Sequence, residues 1–160
     1  MNAVPLLRSR VVAWLIRLFL GGFYVLAGGL KVGDPGKFAE AVSNYRLLPH
    51  EAINLVAIML PWIEVAAGVF LIFGLWLKAS AWLINAMTVM FIAAISSAVA
   101  RGLNVECGCF GTVGGRRVGL TAIAEDVGLL LLGLWLVRLT SPRAERAAPA
   151  VATPAPSEPA

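Results

Sequence analysis

Four runs of about twenty mostly apolar residues, at 11–30, 52–77, 79–100 and 118–137, leave this chain little choice of fold. At 1.5 Å rise per residue, a helix of about 20 residues spans about 30 Å, the thickness of a bilayer's hydrocarbon core. Inside lipid every backbone N–H and C=O must be paired internally, which only helices and closed barrels achieve. The runs are continuously apolar rather than alternating, so they read as helices. Composition agrees: the chain is 59% hydrophobic and 14% charged, against about 45–50% and about 25% in soluble domains. The expected fold is all-α, an integral membrane four-helix bundle.

The remaining segments divide the chain. Residues 1–10 form a short N-terminal flank, 11–140 the membrane domain and 141–160 a Pro/Ala-rich tail expected to be disordered. Arg8 and Arg10 precede the first run as in a signal peptide. That run is longer than an h-region of about 7–15 residues and has no clear cleavage site, so it reads as an uncleaved span. Gly21, Gly22, Gly28 and Gly29 set small residues seven apart, a spacing suited to close helix packing. Lys78 sits in a short turn that makes spans two and three antiparallel neighbours, and Pro61 is expected to kink span two. The net charge of +4 comes from basic residues flanking apolar runs, with no basic patch, zinc-finger spacing or phosphate loop, so nucleic acid is not an expected partner.

Between spans one and two, Asp34-Pro35 reads as an N-cap followed by proline at the first helical position. Phe38, Val42 and Tyr45 then form an amphipathic stripe, ended by Leu48-Pro49. A short helix lying in the membrane interface is expected here.

Between spans three and four lies Cys107-Gly108-Cys109-Phe110-Gly111, which holds the chain's only two cysteines. Residues i and i+2 of an extended chain are about 6.6–7 Å apart, whereas a disulfide wants Cα atoms roughly 4.4–6.8 Å apart. A bond between Cys107 and Cys109 therefore needs a tight turn, which Gly108 permits. Such a bond is strained, and strained disulfides tend to be catalytic or regulatory. As a staple it would contribute only about 1.6 kcal/mol before strain. Three readings stay open: a redox pair, two inert thiols, or half of a metal site. The third has only His50, distant in sequence, to draw on.

Charges within spans are functional candidates by default. Counted from the cysteine side at 1.5 Å per residue, Arg17 lies about 20 Å deep, Glu64 about 18 Å, Asp126 about 12 Å and Glu125 about 10 Å. An Arg17–Glu64 ion pair is the structural expectation, with Arg17 reaching to its own near surface as the alternative. Asp126 or Glu125 is a candidate proton acceptor for thiol chemistry. Trp62, Trp76, Trp82 and Trp135 read as packing or interface anchors.

These residues together resemble a known family. Gly28-Gly29-Leu30-Lys31, Asp34-Pro35, Phe38 and Tyr45-Arg46-Leu47-Leu48-Pro49 look like the first half of MauE/DoxX-like membrane proteins. Leu60-Pro61-Trp62-Ile63-Glu64 with Gly68 is similar to their second span, and the cysteine motif looks like the MauE signature. The resemblance covers about residues 11–137. It implies a four-span bundle that works with a thioredoxin-like extracytoplasmic partner in disulfide maturation, with methylamine dehydrogenase as the target in methylamine metabolism. Cys107 and Cys109 carry over as the catalytic pair, flanked by Gly108, Phe110 and Gly111. Lys31, Tyr45, Pro49, Pro61 and Glu64 carry over as motif positions without a role.

The expected function is thiol–disulfide maturation in a bacterial inner membrane. One cysteine attacks a partner disulfide and the other resolves the mixed disulfide; no cofactor is evident, and a quinone is one candidate acceptor. The alternative is a non-catalytic anchor or scaffold subunit of an oxidoreductase; a transporter is a weaker third. Lysine and arginine divide six against six between the two sides, so charge does not orient the chain. Because disulfides persist outside the cytoplasm, the cysteine loop is expected on the extracytoplasmic side.

Overall fold

The computed structural model describes residues 3–103 and 119–140, with side chains from residue 10 onward. Five helices follow one another: α1 (Ala3–Gly33), α2 (Pro35–Asn44), α3 (His50–Phe73), α4 (Leu77–Ala100) and α5 (Leu120–Leu139). Among the described residues there is no strand. Four helices are long and apolar enough to cross a membrane, over Arg10–Gly33, His50–Phe73, Leu77–Ala100 and Leu120–Leu139. The four-span bundle with a short intervening helix is therefore as expected. The tail lies outside the described residues. Helix α1 already begins at Ala3, within the N-terminal flank.

The seam between α1 and α3 sets the register. A β-carbon added at Gly68 would lie 2.6 Å from the Gly21 carbonyl oxygen, and one at Gly28 would lie 2.8 Å from the Pro61 oxygen. Only hydrogen fits between these backbones. Gly22 and Gly29 face open space, so only one member of each glycine pair makes the contact. Pro61 is buried inside an unbroken α3.

Antiparallel pairing of Gly21 with Gly68, and of Gly28 with Pro61 and Glu64, has a consequence for α3. The start of α3 overshoots the end of α1 by about eight residues, or about 12 Å. The α2 helix fills that overhang. Asp34 Oδ1 accepts the Lys37 backbone N–H at 3.1 Å, and Asp34 Oδ2 lies 2.8 Å from Lys37 Nζ. Hydrogen bonding from Lys37 holds the Asp34 carboxyl below its ordinary range and raises the Lys37 ammonium above its own. Phe38 points inward from this helix and is buried.

At the other end, Gly74 (φ 76°) and Trp76 (φ 44°) turn the chain into α4 through left-handed backbone. Lys78 already lies within α4. A core of Leu20, Tyr24, Leu71, Ile84, Leu129 and Leu136 joins α1, α3, α4 and α5. Trp62, Trp76, Trp82 and Trp135 all face outward, as lipid-facing or interfacial anchors do.

Candidate functional site

The most polar point of the bundle is an ion pair. Lys31, two residues before the end of α1, donates to both carboxylate oxygens of Glu64 at 2.6 and 2.9 Å. Both side chains are buried, with 2% and 1% of their surface exposed. The Lys31 ammonium also lies 5.2 Å from the ring centre of Phe38 and 5.0 Å from that of Phe91. Removing two charges from water costs several kcal/mol each, so this pair persists because it is bidentate, neutral as a unit and faced by two π-systems.

The expected Arg17–Glu64 pair is therefore wrong. The ends of the first two spans are not level: α3 overshoots α1, and Arg17 is opposite Gly74. Its guanidinium donates to Leu71 O at 3.1 Å and Ile72 O at 3.0 Å. Those carbonyls lie in the last turn of α3, where Leu71 O also accepts the Gly74 N–H at 3.3 Å, and the cation complements the negative end of the helix dipole. Arg17 also lies 5.4 Å over the Trp14 ring. This matches the alternative reading, in which Arg17 reaches its own near surface.

Above Lys31, a cavity of about 370 Å³ opens between α2, α3 and α4. Phe38, Val42, Tyr45, Leu60, Met90 and Phe91 are among its walls, and Lys31 is its one charged lining residue. The amphipathic stripe read from Phe38, Val42 and Tyr45 thus faces this space. Beyond it, Arg101 closes the same end of the bundle. Its guanidinium donates to Tyr45 O at 2.6 Å and Arg46 O at 3.4 Å, while Nε holds Ser97 O at 3.1 Å. Arg46 is itself in left-handed backbone (φ 50°), which a non-glycine residue adopts only when its surroundings hold it there.

A second polar set runs deeper. Tyr24 and Thr88 share a hydrogen bond between hydroxyls. Asn85, one turn along α4, is buried against α5 where Gly133 leaves room for its amide. Asp126 of α5 is buried as well, whereas its neighbour Glu125 is exposed along a groove between α1 and α5. Of the two acids proposed as proton acceptors, only Asp126 faces the interior.

The family model described as "Methylamine utilisation protein MauE" matches residues 9–139. The chain belongs to the MauE family. It is similar to the methylamine utilization protein MauE of Paracoccus denitrificans, 35% identical over 101 residues that span 62% of this chain and 54% of that protein. It is also similar to the MauE proteins of Methylorubrum extorquens, 31% identical over 85% of this chain and 74% of that one, and Paracoccus versutus, 29% identical over 80% and 69%. This chain thus covers only about half the length of the first of these relatives. No solved structure matches.

In this chain, Lys31, Tyr45, Pro61 and Glu64 come together at one end of the bundle, and Pro49 caps the start of α3 there. Cys107, Gly108, Cys109, Phe110 and Gly111 lie outside the described residues. Among the described residues no group of histidine, cysteine or carboxylate side chains could hold a metal ion. Two features escaped the sequence reading, namely the pairing of Lys31 with Glu64 and the buried Asn85. The first was signalled by two opposite charges within one helix turn of the Gly28 contact. The second carried no charge to mark it.

Proposed function

We propose that this chain is a membrane thiol–disulfide protein of methylamine utilisation, with Cys107 and Cys109 as its redox pair. The observation that carries this reading is their spacing: the chain's only two thiols are two residues apart, between α4 and α5. Its similarity to methylamine utilization proteins supports the pathway. The Arg101 clasp supports a common location for the cysteine segment's root and the cavity end.

The exchange balances without any other reagent. The direction that oxidises the partner is the reverse of the attack expected from the sequence: a thiolate of a thioredoxin-like partner attacks one sulfur of the Cys107–Cys109 disulfide and forms a mixed disulfide. The partner's second thiolate then displaces that sulfur, leaving the partner oxidised and two thiols on this chain. Its setting is a bacterial inner membrane with the cysteine segment on the extracytoplasmic side, where disulfides persist.

The test combines topology with function. An impermeant maleimide applied to intact cells should label Cys107 and Cys109 only after reduction. Cys107→Ser/Cys109→Ser should abolish maturation of the methylamine dehydrogenase small subunit. Full maturation with the double serine variant would replace this reading with that of a non-catalytic anchor subunit.

A further inference from the structure

We infer that the cavity between α2, α3 and α4 binds the ring of a membrane quinone, with Lys31 donating to one ring carbonyl. The inference rests on the thiol–disulfide reading for its purpose and on the cavity itself for its chemistry. A volume of about 370 Å³ is at the small end of the range for small-molecule sites. It suits one substituted ring and the first part of a tail.

The walls select the occupant. Phe38, Val42, Leu60, Met90 and Phe91 are apolar, which disfavours a water-filled space. A slot for lipid tails alone would need no polar lining, whereas Lys31 lines this one. An anionic headgroup would compete with Glu64, which already neutralises Lys31 at 2.6 Å. What remains is a neutral, planar, largely apolar molecule with an acceptor oxygen. Glu64 engages Lys31 through two contacts, and an ammonium group carries three donors, so one is left for a carbonyl. The rings of Phe38 and Phe91 beside that ammonium offer faces for a flat ligand to stack on.

Position and stoichiometry agree. The cavity wall residue Tyr45 is bonded through its carbonyl to Arg101, at the root of the segment that carries the cysteines. Closing a dithiol to a disulfide forms one S–S bond and yields two electrons and two protons. Reducing a quinone to a quinol consumes both pairs. Dithiol plus quinone thus gives disulfide plus quinol, with nothing left over.

The experiment uses the full chain in nanodiscs with an azido-substituted short-tail benzoquinone as photolabel and decylubiquinone as competitor, read by peptide mapping. Labelling is expected on α2, α3 or α4 peptides lining the cavity, and decylubiquinone should displace it. Ala94→Trp, which fills the cavity from α4, and Ala41→Phe, which fills it from α2, should each reduce labelling at least about tenfold, the loss of about 1.4 kcal/mol. Lys31→Met/Glu64→Leu leaves no unpaired charge and should weaken labelling about tenfold through the lost charged hydrogen bond. Labelling elsewhere, labelling insensitive to these variants, or equal competition by decanol would overturn the inference; the last outcome would identify a lipid-tail slot. Labelling should persist in Cys107→Ser/Cys109→Ser. If that variant binds quinone yet supports full maturation, the proposed function fails and the site stands. If the wild type takes no label while the cysteines prove essential, the site fails and the function stands.

Discussion

Lys31 and Glu64, on α1 and α3, and Asn85 and Asp126, on α4 and α5, are all at least nine-tenths buried. The first two close on each other through two hydrogen bonds. Both amide atoms of Asn85, and Oδ2 of Asp126, have no hydrogen-bond partner among the described residues. An ion pair in an apolar bundle is stable only when complete, so it behaves as one unit. An amide or carboxylate with open valences keeps its capacity to hold water or accept a proton. The same bundle therefore contains a paired polar element at the cavity, whose ammonium keeps one donor, and unpaired polar atoms on α4 and α5.

The sharpest way to break this contrast is to remove half of the ion pair. Glu64→Ala should destabilise the protein by about 3–5 kcal/mol, because Lys31 is left buried and unpaired. Lys31→Met/Glu64→Leu should cost far less. Equilibrium unfolding in mixed micelles measures both, and a single variant no worse than the double would show that the pair does not act as a unit. A smaller effect is expected at the unpaired atoms. Gly133→Ala sets a methyl group against the Asn85 amide and should cost about 1–3 kcal/mol, the range for overpacking. Asn85→Ala in the same chain should relieve most of that loss, and a double-mutant cycle reads the coupling. The smallest effect is expected from Asn85→Ala alone. Lost packing offsets the removal of an unsatisfied amide, so stability should change by no more than about 1 kcal/mol. A larger loss would mean that the amide is engaged in the native protein.

The spans were legible because twenty apolar residues in a row carry their own explanation in length and transfer energy. The α2 helix was legible from Asp34 and Pro35, whose capping roles are local. Relative register was not. Nothing in a single helix states how far it slides against its neighbour, and α3 stands about two turns above the level assumed from loop positions. That error alone paired Glu64 with Arg17 instead of Lys31. Adjacent Glu125 and Asp126 posed a related difficulty. In a lipid-facing helix the outside is as apolar as the inside, so hydropathy does not reveal which acid turns inward. The cavity depends on three elements meeting and has no signature in any one of them.

The contact between Gly21 and Gly68 also limits how the molecule can move. Two helices whose backbones touch cannot slide by a turn without driving a side chain into a carbonyl. Nor can they part without exposing that contact to lipid. The α1–α3 pair is thus a fixed post, and α3's face of the cavity is fixed with it. Any change in the cavity's width must then come from α2 or α4, so cross-linking either of those helices to α3 should slow exchange of an occupant.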